Sequence, residues 1–452
     1  MAGIGFDLRH LVEHEGGMFS RLRAYAAAGV IAAGPWIVTM ASLWLVRVTA
    51  TWLSSSELES FLSIVGAVFA ASLVTVSGLQ MAVTRYLADA LYVQRYGGLL
   101  PAFATCTALV AALQAVSGTL LCWWLDFSPA MTLATVLLYV SVSLSWLGMA
   151  WLTVIRQHDK VLLVYLVGGA VFLAMLMLIG SRLGLVDVLT MYAVSNGLIV
   201  VMMSVLIARG VEVGDVRSGG VIPAMWQHRV LLLTGTVYGL SLWIDKWLFW
   251  VLDGVPTIGA LRQHPLYDSC FYLGYLTVVP AMAVNLVHLE TKFYEVYRAY
   301  YGAVTGNQPL ARIRQLGQRM AASLRESAAS LIRVQGGITV GCVAFAPWII
   351  EVVGLPEYAV RVFRFACIGA FCHVLLLIAI LVMLYFDRRK SALRACTVFL
   401  VTNALLAWWS VSAGPYTYGA GFAVAALAGL LVALWELRRT FSKLEYLTFM
   451  RE

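Results

Sequence analysis

The sequence predicts an all-α polytopic membrane protein: about twelve transmembrane helices in two parallel six-helix bundles, with both termini in the cytoplasm. Composition, the length of the apolar blocks and the placement of basic residues carry this reading. Hydrophobic residues make up 61% of the 452-residue chain and charged residues 12%, too little polarity to surface a soluble protein of this size. The apolar residues arrive in runs of about 20, the length a helix needs to cross ~30 Å of hydrocarbon. Only helices and closed barrels satisfy every backbone polar group there, and barrel strands would alternate apolar and polar residues. Residues 161–179, VLLVYLVGGAVFLAMLMLI, do not alternate, so the runs are helices.

In order, the expected spans are 24–46, 61–84, 99–125, 132–154, 161–179, 186–208, 231–252, 270–289, 331–353, 362–385, 392–412 and 418–437. The opening residues MAGIGFDLRHLVEHEGGMFSRLR are polar and charged for too long to be a cleavable signal peptide, so the first span is expected to be retained. With twelve spans, the loops and tails on the side of the N-terminus hold 24 Lys and Arg, and the opposite side holds four, Arg47, Arg182, Arg262 and Arg361. That bias places both termini in the cytoplasm. It also accounts for the net charge of +8 as a topology signal rather than a nucleic-acid footprint. The seven cysteines lie in or beside spans without a C-x-x-C pair, which points to packing rather than to disulfides or zinc.

The domain organisation follows from the same spacing. Residues 1–23 form a cytoplasmic segment, 24–208 the first bundle, 209–230 a Gly-rich charged linker, 231–437 the second bundle and 438–452 a cytoplasmic tail. Six spans is an even number, so any repeat of the halves is parallel, about an axis along the membrane normal. The second bundle carries a cytoplasmic insertion, 290–330. Within it Leu310, Ile313, Leu316, Met320 and Leu324 recur at helical spacing among Arg312, Arg314, Arg319 and Arg325. Such a basic amphipathic helix either lies on anionic lipid or docks a cytoplasmic partner.

No HExxH, phosphate-binding loop or GxSxG elbow is present, and no cofactor or metal is expected. What remains are polar residues inside spans, which are costly there and so are candidates for a transport pathway. Asp245 and Lys246 sit side by side in span seven. Neighbours on a helix point about 100° apart, so the two are expected to address different surroundings, with Lys246 snorkelling outward. Asp245 then needs a cation, a proton or a polar cavity, and Arg364 in span ten is the expected partner if one exists. Arg333 and Gln335 open span nine, where Arg333 either snorkels or charges the inner mouth of the bundle. Pro35, Pro280 and Pro347 fall inside spans one, eight and nine and mark helix bends. Gly235 with Gly239, and Gly337 with Gly341, form two GxxxG pairs that permit close helix contact.

Several separated stretches, MAGIGFDLR, AYAAAGVIAAGPWIVTM, WIDKW and YDSCFYLGYLTVVPAMAVNLVHLETKFYEVYRAYY, together resemble the PelG family of inner-membrane components of Pel exopolysaccharide systems. The resemblance runs over the whole chain. It implies a flippase-like fold shared with multidrug extruders and lipid-linked oligosaccharide flippases. It also implies export of an amino-sugar polymer across the bacterial inner membrane. The implied partners are a cytoplasmic glycosyltransferase and membrane scaffold proteins that bind cyclic-di-GMP. A scaffold that docks the synthase, and a flippase of a lipid-linked intermediate or an ion-coupled exporter, are the competing readings.

The charge bias generates a direct test. Reporters fused after Met450 and within residues 209–229 are expected to read cytoplasmic, and one near Arg262 periplasmic. The same side for Arg217 and Arg262 fusions would overturn the span count through span seven.

Overall fold

The computed structural model describes residues 18–94, 97–155, 157–180, 183–211 and 220–449. Most of the predicted cytoplasmic N-terminal segment and the middle of the 209–230 linker lie outside the described residues. The elements run α1 Met18–Thr49, α2 Ser55–Tyr92, α3 Leu99–Trp124, α4 Pro129–Val154, α5 His158–Ile179, α6 Leu185–Gly210, α7 Val221–Gln227 and α8 Arg229–Asp253. A hairpin follows, β1 Val255–Ile258 and β2 Leu261–Gln263, and then α9 Pro265–Leu276, α10 Val279–Val287, a π-turn at His288–Phe293, α11 Tyr294–Thr305 and α12 Leu310–Ala344. The chain closes with α13 Ala346–Val353, α14 Ala359–Tyr385, α15 Arg389–Ala413, a 3₁₀ turn Pro415–Thr417, α16 Ala420–Ser442 and α17 Leu444–Phe449. The protein is an all-α polytopic membrane protein, and nine helices among the described residues are long and apolar enough to cross a bilayer. Of the three expected spans outside these nine, span one is described only in part, span seven falls short because Asp245 and Lys246 dilute its apolar run, and span eight because it is broken in two.

Packing divides the chain into two units, Gly34–His264 and Met1–Ala33 with Pro265–Glu452. This line differs from the halves read off the sequence, since span seven (α8) counts with spans two to six. The reason is a backbone-close contact between α2 and α8. A Cβ on Gly235 would lie 2.4 Å from the Ser77 carbonyl oxygen and 2.8 Å from the Gly78 Cα, and one on Gly78 would lie 2.4 Å from the Leu232 carbonyl oxygen. Ser77 Oγ donates to the Gly235 carbonyl at 2.9 Å across that seam. The first GxxxG pair is therefore a helix–helix contact, as its spacing suggests. The second is not: a Cβ on Gly337 or Gly341 would meet no atom within 4 Å.

Within the Gly34–His264 unit, one apolar cluster gathers Phe61, Ile64, Leu138, Phe172 and Tyr192, and a second gathers Val83, Leu87, Phe103, Trp151 and Met203. Ser54 and Glu57 start α2 with a reciprocal capping box, which satisfies two of the backbone donors left open at a helix start. The hairpin occupies what the sequence reading left as a plain outer loop. Its two-residue turn needs Gly259 at φ +55°, where a side chain would strike the Leu125 carbonyl. Ala260 N donates to that carbonyl at 2.9 Å and Gln263 Nε2 to the Ser63 carbonyl at 3.0 Å, so the hairpin is fastened to the ends of α2 and α3.

In the other unit, α14, α15 and α16 pack side by side, with α9 and α12 against α14. The sequence reading separates the amphipathic insertion 290–330 from span nine, whereas α12 runs through both as one helix of 35 residues, about 52 Å long at 1.5 Å per residue. No Gly or Pro interrupts the chain between Leu324 and Leu331, and Arg325, Glu326 and the alanines there are compatible with a helix, which is why the helix continues. Pro347 ends it, and Pro280 separates α9 from α10, each lying at the second position of the helix that follows. Pro35 instead lies inside continuous α1, where Thr39 Oγ1 donates to the Pro35 carbonyl at 2.9 Å.

The two glycine pairs predict opposite mutational behaviour. Gly235→Ala overpacks the α2–α8 seam and is expected to cost about 1–3 kcal/mol, read as a lowered thermal midpoint in detergent. Gly341→Ala meets open space and gains helix propensity, so its midpoint is expected to stay level or rise.

Candidate transport site

Asp245 lies in α8, eight residues or about 12 Å from the Asp253 end. Its side chain is fully buried, and Lys246 is 7% exposed. The sequence geometry expects them to face different surroundings, but the structure pairs them: Lys246 Nζ lies 3.2 and 3.1 Å from the two Asp245 carboxylate oxygens. Helix side chains lean toward the helix N-terminus. The four-carbon lysine stem is long enough to curl back across the 100° step, so the angle between neighbours does not forbid the contact. The same ammonium donates to the Leu242 carbonyl at 3.1 Å and sits 5.7 Å above the Trp243 ring. Lys246 is therefore held inside the protein rather than snorkelling to the headgroups.

Arg364, the expected partner from another helix, is exposed and spends its Nε on the Val343 carbonyl at 3.1 Å. That carbonyl is the one Pro347 leaves unanswered, since a proline four residues on has no N–H to return. Arg364 thus caps a proline-broken helix. Arg333 is exposed on α12 and donates to the Ala329 carbonyl one turn earlier, at 3.2 Å. Gln335, its near neighbour, is fully buried, with Nε2 donating to Thr277 Oγ1 at 3.3 Å.

Three features escaped the sequence reading. Glu436 of α16 is 1% exposed, with Arg394 Nη1 at 2.9 Å and Ser391 Oγ donating at 2.8 Å. Its signal was present, because it falls inside the span read as 418–437. His373 of α14, also buried, lies 3.4 Å from Tyr275 OH and packs beside the mutually contacting rings of Phe399 and Phe422. Asp253 and His264 pair at 3.1 Å beside the hairpin. No group of three or more His, Cys, Asp or Glu suited to a metal occurs among the described residues.

The amphipathic stripe has a different fate from either sequence reading. Ile313, Leu316 and Met320 are buried inside the chain's own fold and Leu324 is half-buried, while Leu310 stays exposed. Tyr300 of α11 and Leu444 of α17 pack at Gly317 on this helix. Arg314 makes a bidentate pair with Glu445 at 3.0 and 3.2 Å, and Tyr300 OH meets Thr448 Oγ1 at 3.1 Å. Burial pushes the Tyr300 phenol above its ordinary pKa, so it remains a neutral partner in that bond. The face of α12 left open carries Arg312, Arg319 and Arg325. A cavity of about 330 Å³ lies beside α11, lined by Tyr294, Glu295, Arg298 and Ala299, and holds none of the candidate pathway residues.

The family model described as "PelG: Putative exopolysaccharide Exporter (EPS-E)" matches residues 1–449. The chain belongs to the PelG family. No curated protein sequence matches it. Its fold resembles a MATE family multidrug-resistance transporter of the MOP superfamily in an outward-facing conformation, at TM-score 0.66 and 12% identity over 99% of both chains. It also resembles a MOP superfamily transporter from Pyrococcus furiosus, at TM-score 0.64 and 12% identity over 92% of this chain and 96% of that one. At such identity the likeness concerns the fold alone, which agrees with the flippase-like relation expected of a PelG protein.

The arrangement in α8 therefore belongs to a transporter-type membrane protein, and its charge balance is testable. Asp245→Asn removes the carboxylate that Lys246 binds, and Lys246→Met the ammonium that Asp245 binds. Either single change is expected to destabilise by about 3–5 kcal/mol if the pair is structural, and the double change by clearly less, because breaking a buried pair costs more than replacing it. Thermal unfolding of the three purified variants reads the difference.

Proposed function

We propose that this PelG-family protein carries an exopolysaccharide, a Pel-like polymer of amino sugars, from a cytoplasmic glycosyltransferase across the bacterial inner membrane to the periplasm. The observation that carries the reading is the family match over residues 1–449. The MOP transporter fold supports it, as does a charged pair buried in a span, a feature transport pathways use and inert packing avoids. The N-in, C-in orientation of two parallel bundles rests on the basic-residue bias. The protein serves as a conduit and leaves polymer synthesis to its partner, in keeping with the family and fold. A cyclic-di-GMP-binding membrane scaffold completes the proposed partner set.

The second reading, a scaffold that docks the synthase while sugar crosses elsewhere, is favoured by α12. Its apolar stripe is sealed by the chain itself, so a soluble partner would meet the basic face of Arg312, Arg319 and Arg325 instead.

Reconstitution with the synthase separates the two. Under the conduit reading, polymer accumulates inside sealed vesicles in which the synthase faces outward, and Asp245→Asn in combination with Lys246→Met lowers that accumulation at least tenfold while protein abundance and synthase attachment persist. A scaffold predicts unchanged accumulation in the double variant and loss of synthase attachment when Arg312, Arg319 and Arg325 are changed to Glu.

A further inference from the structure

The α15–α16 pair ends in cations that the protein does not neutralise. Lys390, Arg394, Val401, Leu405 and Trp408 recur on one face of α15, and all five are exposed. Two cations thus head an apolar stripe that faces lipid. On α16, Trp435 is exposed and the Arg439 guanidinium sits over its ring at 5.8 Å. Gly421, five full helical turns before Arg439 and so on the same face, packs directly on Leu406 of α15. Arg439 therefore borders α15. Glu436 closes the arrangement, because it lies beside Trp435, accepts from Ser391 Oγ at 2.8 Å and stands 2.9 Å from Arg394 Nη1. These contacts bring Lys390, Arg394, Trp435 and Arg439 to one end of the seam between the two helices.

Arg394 is half-exposed, and its hydrogen bonding is largely unspent. Nη1 is close enough to Glu436 for an ion pair but not aligned for a hydrogen bond, and Nη2 donates to Ser391 Oγ at 3.3 Å. That is one of five N–H groups. No carboxylate pairs with Lys390 or Arg439 among the described residues. A lysine at a helix end can snorkel to water, whereas Arg394 is tied to a carboxylate that is 1% exposed. Burying a carboxylate in a span is costly, and here it fixes one guanidinium at the edge of a lipid-facing stripe. We propose that this end of the α15–α16 pair binds an anionic glycerophospholipid. Lys390, Arg394 and Arg439 take the phosphate, whose geometry suits the guanidinium fork, and the stripe from Val401 to Trp408 takes an acyl chain. Trp435 supplies the amphipathic ring found at headgroup depth. Basic pockets between transmembrane helices bind acidic headgroups in this way. The site stands apart from the export reading, because lipid retention is read without transport.

The test uses the purified full-length protein in neutral detergent doped with phosphatidylethanolamine, phosphatidylglycerol or cardiolipin, followed by thermal unfolding and by native mass spectrometry of retained lipid. The two anionic lipids are expected to raise the midpoint saturably and to stay bound, where phosphatidylethanolamine does neither. Lys390→Gln combined with Arg439→Gln changes two exposed side chains. It is expected to raise the half-saturating fraction of anionic lipid at least tenfold while the midpoint in phosphatidylethanolamine holds. Arg312→Gln with Arg319→Gln removes the same charge from α12 and is expected to leave the anionic effect intact. Equal loss in that control would reveal diffuse attraction to a positive protein and would overturn the proposal. So would equal midpoints in phosphatidylethanolamine and anionic lipid. A rise of the same size from inorganic phosphate alone, at matched ionic strength, would also sink it by assigning the cations to a free anion.

Discussion

In a hydrocarbon environment every backbone and side-chain polar group has to find its partner inside the protein, and this requirement organises the structure more than apolar packing does. Lipid tails are as apolar as leucine, so burying Leu or Val in a helix interface gains little over leaving it in lipid. Groups that lipid cannot serve decide which helices must meet. Lys246 folds back onto Asp245 and the Leu242 carbonyl. Arg394 and Ser391 of α15 close on Glu436 of α16. Arg364 crosses from α14 to the carbonyl that Pro347 orphans in α12. In the last two cases one costly group in one element fixes the position of another, while Lys246 and Asp245 answer each other within α8.

Close approach of backbones is the second device, and it is used selectively. The seam between α2 and α8 brings Gly78 and Gly235 so near that neither tolerates a Cβ, with Ser77 hydrogen-bonded across it. Dispersion grows steeply as backbones approach, so this contact attaches α8 firmly to the unit that contains α2. The charged pair thereby sits on a helix whose N-terminal half is tightly anchored. A buried ion pair on a mobile helix would be exposed to water and lose the low dielectric that makes its partners interdependent.

Much of the fold was legible in the sequence because hydrophobic run length and charge placement report directly on membrane crossing. Helices matching ten of the twelve expected spans run without a break across most of their predicted extent; spans eight and nine end short at Pro280 and Pro347, as a missing N–H dictates. The errors share one cause, which is that sequence periodicity gives the direction of a side chain's root and not the reach of its tip. It set Asp245 apart from Lys246, although a lysine stem spans the gap. It offered Arg364 to Asp245, although a nearer carbonyl had been freed. It drew the stripe of Ile313, Leu316 and Met320 correctly as an apolar face, but could not tell that α11 and α17, distant in sequence, cover it. The two GxxxG pairs are identical as patterns and opposite in packing, because spacing records the permission to approach and not the neighbour.

Helix α12 joins two regions that a reading by spans keeps apart. Its N-terminal half is clamped by α11 and by the C-terminal α17 through Tyr300, Arg314 and Leu444. Its other half carries Gln335 to the break in span eight and ends at the carbonyl held by Arg364. An uninterrupted α-helix resists bending because each turn is tied to the next by hydrogen bonds. The weak points lie elsewhere, at the turn between α9 and α10 and at Phe345 between α12 and α13, where prolines remove the bonds that would transmit strain. Rigid rod and broken helix meet at the Gln335–Thr277 hydrogen bond, where a buried amide is spent on the residue at which span eight breaks.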